Sequence, residues 1–510
     1  MRIAGSKVLH VASVAVMGCL FAVAGASAQT APPKMKMTTE IPSQITTPDS
    51  VDTRIGTLKF FDGAPDKATV DKAYDNLDFI RGVQVFLNTM PGASLVAMRD
   101  GLRTVGATDG TVGVFQTLMD SKSLWLTGNT ETVYASTWLD LKNGPIVIDS
   151  PPNVLGVLDD FWFHYVADMG NAGPDKGKGG KFLVVPPGYS GIIPAGYFVA
   201  KSNTFGVWFI MRGFLVNGDP AAAVENFKKN LRIYPLAQAA NPPATIKLIN
   251  LSGTAHNTIH ANDYRFYEEI NEIVQEEPGT AIDPETLGLL MAIGIVKGQP
   301  FAPDERMKKT LTEAAAVGNA TARSILFANR DQRFFLYPGS TWEVGFLGGS
   351  HEFLMDDARL LDARTRMFYY ATVITPAMAM KMVGIGSQYG VNFRDADGNY
   401  LDGSKNYKLN IPANPPVKTF WSIVVYDNQT RSMLQTDEQF PSLGSQKPGL
   451  QKNPDGSVDV YFGPTAPAGH ESNWIQTVPG KGWNTLLRLY GPLDPWFDKT
   501  WRPGNIVLVK

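Results

Sequence analysis

Four polar or amphipathic residues lie on or beside strongly apolar segments of the N-terminal half: Asn129, Glu131, Tyr134 and Arg212. Arg212 ends the apolar run VWFIMR, and an arginine there has to find an acid, a carbonyl group or solvent. The pattern predicts a polar pocket in which Glu131 is an acid or base and Arg212 binds an anionic group. Asn129 and Tyr134 are candidate ligand-binding residues of the same pocket. The alternative is a structural ion pair between Glu131 and Arg212.

Two histidines form an H-x-x-x-H pattern, His256 and His260. On a helix this spacing would place both imidazoles on one face, as a metal site requires. The predicted helix begins only at Asn262 or Asp263, so both histidines lie in the preceding loop, and no third ligand is evident nearby. We therefore expect no metal and no cofactor. His260, beside the helix start, is the third candidate catalytic residue, with Glu131 and Arg212.

Five of the ten tryptophans lie in the C-terminal part of the chain: Trp421, Trp474, Trp483, Trp496 and Trp501. Aromatic rings of this kind can stack on sugars or other flat groups. Packing in the core of a large β domain is the alternative for most of them. Trp474 follows the Gly/Pro-rich loop GPTAPAGHES, which favours a place at the mouth of a binding site. Trp474 and Trp421 are therefore candidate ligand-binding residues.

The local signatures of common hydrolase and nucleotide-binding sites are absent from the sequence: G-x-S-x-G, S-x-x-K, H-E-x-x-H and the P-loop. A triad of distant residues stays open, because geometry rather than order defines it. The run Asp395-Ala-Asp397-Gly-Asn399 resembles the start of a calcium loop. It has Asn406 where the twelfth position needs a carboxylate, so a hairpin turn is the better explanation.

Composition and the first residues bound the class of protein. The 510 residues are 44% hydrophobic and 18% charged with a net charge of -2, which fits a globular protein and argues against nucleic acid as a partner.

Arg2 and Lys7 precede an apolar run over residues 8–23 and the small-residue site Ala26-Ser27-Ala28, the pattern of a secretory signal peptide. We expect cleavage after residue 28 and a periplasmic or secreted protein. A lipoprotein modified at Cys19, the only cysteine, is the alternative. No later run is apolar and long enough to span a bilayer.

The pattern of apolar residues predicts the elements that position these side chains. Residues 29–66 read as a flexible leader, and apolar residues at helical spacing predict a helix over 69–87 and a second over 91–105. Short β-rich runs separated by Gly, Pro and Asn follow from residue 118, as in an antiparallel sandwich. Three helices then begin near Asp263, at Asp283-Pro284 and at Pro303-Asp304; the second is apolar nearly all round and is expected to be buried. Strands resume after Ser387.

Two sequence blocks resemble known bacterial families. The block NTETVYASTWLDLKNGPIVIDSPP, residues 129–152, is similar to the family known as domain of unknown function 1254. The blocks FWSIVVYDNQTRSM and NWIQTVPGKGWNTLLRLYGPL are similar to domain of unknown function 1214. The resemblance implies an Ig-like N-terminal sandwich, a helical middle and a C-terminal jelly-roll-like sandwich. It implies no reaction.

The expected organisation is a mainly β protein with a helical insert: a signal peptide (1–28), the leader (29–66), N-terminal helices and an Ig-like β-sandwich (67–250), the helical insert (251–335) and a jelly-roll-like β-sandwich (336–510). Two functions stay open. One is an enzyme with hydrolytic or acid–base chemistry on a small amphipathic molecule, in a pocket at the sandwich ends. The other is a non-catalytic protein that binds a glycan or a component of the cell envelope. An oligomer is compatible with either.

Overall fold

The computed structural model of the protein describes residues 35–108 and 110–509, so the predicted signal peptide and Cys19 lie outside the described residues. Two compact units divide the chain, residues 1–71 and 72–510. In the first unit, β1 (Ser50–Thr53), β2 (Gly56–Phe61) and β3 (Ala64–Pro65) form an antiparallel sheet. The sequence predicts a flexible leader here. The sheet forms because Gly56 and Gly63 adopt the positive φ angles that tight turns need.

A single helix, α1 (Lys67–Thr104), replaces the two helices predicted over this region. Pro91 lies inside it and removes one helical hydrogen bond, at a cost of about 3 kcal/mol. The helix continues because its second half is buried, with Met90 and Leu95 fully enclosed in the core. Tertiary packing here outweighs the local preference of proline.

The first pair of sheets follows α1. A six-stranded sheet has the order β14-β4-β6-β12-β8-β9 and a four-stranded sheet the order β11-β10-β7-β13; one apolar core contains side chains of both. The elements are β4 (Thr111–Val114), β5 (Ser123–Leu124), β6 (Thr132–Asp140), β7 (Ile146–Ser150), β8 (Val154–Asp160), β9 (Tyr165–Gly170), β10 (Gly180–Val185), β11 (Phe198–Lys201), β12 (Gly206–Phe214), α2 (Ala221–Asn230), β13 (Arg232–Pro235), β14 (Lys247–Asn250) and β15 (His256–Asn257), the last paired with β5.

Three helices come next: α3 (Arg265–Glu276), α4 (Pro284–Ala292) and α5 (Glu305–Phe327). Asp283 and Asp304 cap α4 and α5, as predicted, by accepting hydrogen bonds from Thr286 N and Met307 N. The expectation that α4 is buried on all sides is wrong. Leu290 is its buried residue and Met291 is 53% exposed, because only one edge of this short helix packs on the core.

The second pair of sheets closes the chain. A five-stranded sheet has the order β16-β19-β25-β21-β22 and a four-stranded sheet the order β24-β23-β20-β26, around a second apolar core. The elements are β16 (Trp342–Val344), β17 (Leu354–Met355), β18 (Ala358–Arg359), α6 (Leu361–Tyr370), α7 (Pro376–Ala379), β19 (Ser387–Asn392), β20 (Tyr407–Ile411), β21 (Val417–Asp427), β22 (Ser442–Gly444), β23 (Val458–Gly463), β24 (Trp474–Gln476), β25 (Trp483–Pro492), α8 (Asp494–Phe497) and β26 (Val507–Leu508).

Helices make up 27% and strands 28% of the chain, so the fold is mostly β with eight α-helices among the described residues. A third and larger core joins α1, α3, α5 and α6 to the remaining faces of the six-stranded and five-stranded sheets. Both faces of these two sheets are therefore buried. This explains why their strands read as continuous apolar runs rather than as alternating ones.

None of the described helices combines the length and the apolar composition that a membrane-spanning helix needs.

Candidate functional site

A cavity lies between the six-stranded and five-stranded sheets, and we call it the arginine cavity. Its polar lining includes Tyr134, Arg212, Arg366, Tyr370, Tyr389 and Arg488. About 680 Å³ of space that no protein atom occupies lies in and around it, part of it open to solvent. The rest of the wall is largely apolar and includes Met119, Trp125, Leu126, Ile210, Phe346, Met367, Val373, Met378, Val391 and Leu486.

Strand alternation places the arginines on this wall. In β12, Phe209 and Met211 point into the first sheet pair, so Arg212 points to the opposite face. In β25, Leu487 and Leu489 enter the second core, so Arg488 also points to the opposite face. The register then sets a tyrosine directly across from each arginine: Tyr134 on β6 faces Arg212, and Tyr389 on β19 faces Arg488.

Arg212 is a buried cation without a carboxylate partner among the described residues. Its side chain is 7% exposed, and its Nη1 is buried without a hydrogen bond. The guanidinium lies 5.4 Å from the centre of the Tyr134 ring, a cation–π distance. Burial lowers the pKa of Arg212, but the neighbouring tyrosines, Tyr134 first, raise it above its ordinary value, so the group stays charged.

Arg488 is also buried, at 3% exposure, and forms no ion pair within the part of the chain that the structure describes. Its Nη2 donates hydrogen bonds of 2.5 Å to Thr127 O and 2.6 Å to the Tyr426 hydroxyl, and its Nε is buried without a partner. Its ring neighbour is Tyr389, at 5.8 Å. The cavity wall therefore carries two positive charges that no carboxylate of the described residues neutralises.

The two arginines change the acidity of Tyr134. Burial raises the pKa of its hydroxyl, but the charges of Arg212 and Arg488 more than offset this and bring the pKa below the ordinary value of 10. A neighbouring cation stabilises the phenolate, which is the charged form. Tyr134 can therefore exchange a proton closer to neutral pH than an ordinary tyrosine can.

Asn129 supports this wall rather than opening onto the cavity. It is fully buried, and its Nδ2 donates to the hydroxyl of Tyr490 at 2.6 Å and to Thr132 Oγ1 at 3.3 Å. Its Oδ1 accepts the backbone N–H of Glu131 at 3.0 Å. The Asn129 amide therefore holds the backbone of Glu131 close to the buried hydroxyl of Tyr490.

Glu131 does not pair with Arg212, so the structure does not contain the ion pair considered from the sequence. The carboxylate faces a separate, more open cavity, where its Oε1 accepts hydrogen bonds of 3.0 Å each from Thr130 Oγ1 and Ser442 Oγ. Burial raises its pKa, against these hydrogen bonds and the charge of Arg488. Glu131 and Arg212 therefore cannot form one acid–base pair in this conformation.

The structure separates the two histidines from the arginine cavity. The Nδ1–H of His260 donates to Ala261 O at 2.8 Å, and burial, followed by the charge of Arg431, lowers the pKa of His260 to about 3. His256 accepts a 2.8 Å hydrogen bond from Trp125 Nε1 at its Nε2, so protein partners occupy both of its nitrogens. His260 is neutral and enclosed, and it lines none of the cavities described here.

The two candidate tryptophans also lie away from the cavity. Trp421 is 3% exposed in the second core, because β21 turns it inward together with Ile423. Trp474 is half-buried, and its Nε1–H donates to Gly463 O at 3.0 Å. Trp421 cannot stack on a surface ligand without unfolding of its strand.

The sequence interpretation missed other polar residues that line the cavity: Arg366, Tyr370, Tyr389 and Arg488. Arg488 has the same sequence signal as Arg212, because it lies within an apolar run, NTLLRLYG. Arg366 differs from the other two arginines, because its Nη2 forms a buried 2.7 Å ion pair with Glu343. The distinction between a paired and an unpaired arginine is a tertiary property that no local pattern contains.

The arrangement can bind an organic anion. Two fixed guanidiniums in an enclosed site offer charge-assisted hydrogen bonds to a carboxylate or phosphate, and the apolar walls can bury a hydrocarbon body. Tyr134, which lines the same cavity, can donate or accept a proton. The oxygen and nitrogen ligands that a metal prefers do not converge on this wall.

Family comparison matches two parts of the chain. Residues 110–235 match a protein of unknown function, DUF1254, and residues 386–494 match a protein of unknown function, DUF1214. The arginine cavity draws on both regions, because Tyr134 and Arg212 lie in the first and Tyr389 and Arg488 in the second. No curated protein matches the chain.

A solved structure shows a related fold. The chain is similar to the VPA0106 protein from Vibrio parahaemolyticus, with 20% identity and a TM-score of 0.52 over 85% of this chain and 100% of that one. An uncharacterized protein from Burkholderia cenocepacia aligns at 12% identity with a TM-score of 0.36, over 86% of this chain and 96% of that one. The family comparison confirms the resemblance seen in the sequence: the chain carries a DUF1254 region followed by a DUF1214 region.

Proposed function

We propose that the protein is an enzyme that binds a small amphipathic organic anion in the arginine cavity and performs acid–base chemistry on it. The observation that carries this proposal is the pair of buried guanidiniums, Arg212 and Arg488, that face one largely apolar cavity and have no carboxylate partner in the part of the chain that the structure describes. Burying a charge without a partner costs several kcal/mol. A ligand that supplies the missing negative charge recovers part of that cost as binding energy.

Each part of the wall has a role in this proposal. Arg212 and Arg488 hold the anionic group of the ligand, and the apolar side chains enclose its body. Tyr134 is the acid or base, since its lowered pKa places its proton exchange nearer to neutral pH. Tyr426 and Asn129 are positioning residues, because they fix Arg488 and the tyrosine cluster through hydrogen bonds.

Pairs of charged and neutral ligands of the same shape test the binding step. We expect benzoate and octanoate to raise the melting temperature of the wild-type protein, and benzamide and octanol to leave it unchanged. Arg212→Gln keeps a polar side chain but removes the charge, so the shift by the anions should disappear while the folded spectrum remains. Equal shifts by the charged and neutral members of each pair would contradict the proposal.

The chemical step needs a separate test, because capture of the same anion without reaction is the second candidate function. A library of organic acids is incubated with the protein in D2O, and mass spectrometry follows deuterium uptake or cleavage. We expect a mass change with the wild type that Tyr134→Phe abolishes although the ligand still binds. An anion that binds to both proteins and is recovered unchanged would favour capture.

Three further assignments belong to this proposal. We infer that the two sheet pairs are an Ig-like and a jelly-roll-like sandwich, supported by the single core that each pair encloses; the strand connections in an experimental structure would test this.

We also infer that the protein is exported and acts in the periplasm or outside the cell, supported by the signal sequence. N-terminal sequencing of the exported protein should find Gln29 first, and a lipid-modified Cys19 would contradict it. A glycan as ligand would have to bind elsewhere than on Trp421.

A further inference from the structure

A second cavity lies beside the turn between β8 and β9, and we call it the histidine cavity. It is lined by His164, Tyr165, Arg359 and Arg364, among others, and contains about 1180 Å³ of space, part of it open to solvent. It shares no lining residue with the arginine cavity. Inferences about it therefore do not rest on the function proposed above.

The turn holds His164 in a fixed orientation. The carboxylate of Asp160 is buried, and its Oδ1 accepts the backbone N–H groups of Trp162 and His164 at 2.9 Å each. Its Oδ2 lies 3.1 Å from His164 Nδ1. A carboxylate in this position makes Nδ1 the protonated nitrogen, so Nε2 is the basic one.

The imidazole is also accessible, because the His164 side chain is 54% exposed on the cavity wall. The preceding residue, Phe163, has a φ of 62°, which is a strained conformation for a bulky residue. The hydrogen bonds to Asp160 hold this strained turn. A buried carboxylate, a strained turn and an exposed imidazole are the arrangement in which a histidine acts as a general base.

Arg364 supplies positive charge on the same wall. Its Nη2 donates to Asn88 Oδ1 at 2.6 Å, and its Nε is buried without a partner. It forms no ion pair within the described residues. Burial, and then the charge of Arg359, lowers the pKa of Arg364 to about 10, so the guanidinium is still charged at neutral pH.

We propose that the histidine cavity is a hydrolytic centre, in which His164 activates water and Arg364 binds the anionic group of a carboxylic ester. Nε2 of His164 takes a proton from water while the water oxygen forms a bond to the ester carbonyl carbon. The tetrahedral intermediate then loses the alcohol oxygen, and His164 returns the proton to that oxygen. The products are a carboxylic acid and an alcohol, and no oxidant or cofactor is consumed.

The charges around His164 predict the pH dependence. Burial lowers the pKa of His164, but the hydrogen bond and the charge of Asp160 raise it more, to above its ordinary 6.5. The other charged groups that act on it are Arg359, which lowers the pKa, and Glu352, which raises it. Hydrolysis needs the neutral imidazole, so the rate should rise with pH and level off above the pKa of His164.

Two nitrophenyl esters test this centre in the purified mature protein: mono-4-nitrophenyl glutarate, which carries a carboxylate, and the neutral 4-nitrophenyl butyrate. We expect faster hydrolysis of the glutarate, a loss of about 100-fold or more in kcat with His164→Gln, and a raised KM for the glutarate alone with Arg364→Gln. His470→Gln is the matched control, an exposed histidine that lines neither cavity and whose ring stacks on Tyr461. It should retain the activity.

A further variant keeps the test decisive if His164→Gln does not fold. Asp160→Asn removes the charge that raises the pKa of His164, so the rise of the pH–rate profile and the NMR titration of His164 should both move to lower pH. Hydrolysis that is no faster than the uncatalysed reaction would overturn the proposal. Hydrolysis that survives in His164→Gln, or a pH profile that Asp160→Asn leaves in place, would overturn it as well.

Discussion

Replacing Arg212 with methionine is expected to stabilise the empty protein, although the side chain is buried. Arg212 is 7% exposed, its Nη1 has no hydrogen-bond partner, and it forms no ion pair among the described residues. Methionine is unbranched and of similar length, so it fills the same space without the charge. The substitution removes the cost of burying a cation and should therefore stabilise the fold. Most substitutions of a buried arginine destabilise it instead.

The magnitude follows from two opposing terms. Replacing a buried ion by an apolar residue of similar volume is neutral or stabilises by about 1–4 kcal/mol. The cation–π contact with Tyr134, at 5.4 Å, is lost and is worth about 1 kcal/mol or more. We expect a net gain of up to about 3 kcal/mol. The unfolding entropy is about 2.1 cal/mol/K for each residue, so a unit of about 440 residues should gain roughly 1 °C in Tm for each kcal/mol.

Thermal and urea unfolding of the wild type and the variant measure this gain. Arg366→Met is the matched control, since Arg366 lines the same cavity but forms a buried 2.7 Å ion pair with Glu343. Its removal leaves the carboxylate of Glu343 unpaired and should destabilise by about 3–5 kcal/mol. A loss of 3 kcal/mol or more in Arg212→Met as well would show that the Arg212 guanidinium is structurally paired, and would refute the reasoning.

Three smaller predictions concern single carboxylates. Burial raises the pKa of Glu131, so its protonated form stabilises the fold at acidic pH and this stabilisation is lost as pH rises. Glu131→Gln should therefore have a higher Tm than the wild type at pH 8 but not at pH 4. Burial raises the pKa of Glu269 to about 8. Between pH 5 and pH 8 the free energy of unfolding, measured in urea, should therefore fall less in Glu269→Gln than in the wild type. Asp304→Ala removes the cap of α5 and should cost about 1 kcal/mol in urea unfolding. The opposite pH trend in either glutamate variant, or an unchanged stability of Asp304→Ala, would contradict these assignments.

Local sequence rules predicted much of the fold. Asp283 and Asp304 begin their helices as their capping chemistry requires, and the two families were recognised in the correct order. The rules failed where tertiary packing overrode them. Pro91 lies inside α1 because the surrounding core holds the helix, and α4 is exposed although its sequence is apolar. Neither outcome can be read from the residues of the element itself.

The candidate site was predicted in part. An arginine at the end of an apolar strand correctly marked Arg212 as a residue that needs an explanation, and its neighbour Tyr134 was also identified. Glu131 and Arg212, which the sequence interpretation placed in one pocket, line different cavities. Arg488 comes from a strand 276 positions later in the chain, in the other sheet pair. Only the packing of the two sheets brings the arginines together.

A crystal structure of the protein soaked with 4-iodobenzoate tests the anion site most directly, because the anomalous signal of iodine locates the ligand without bias. We predict an iodine peak among the apolar side chains of the arginine cavity, with the carboxylate within hydrogen-bonding distance of Arg212 and Arg488. The Arg212→Gln variant, soaked identically, should show no peak at this place. An empty arginine cavity in the wild type at a saturating concentration, or a carboxylate bound away from both guanidiniums, would contradict the proposed function.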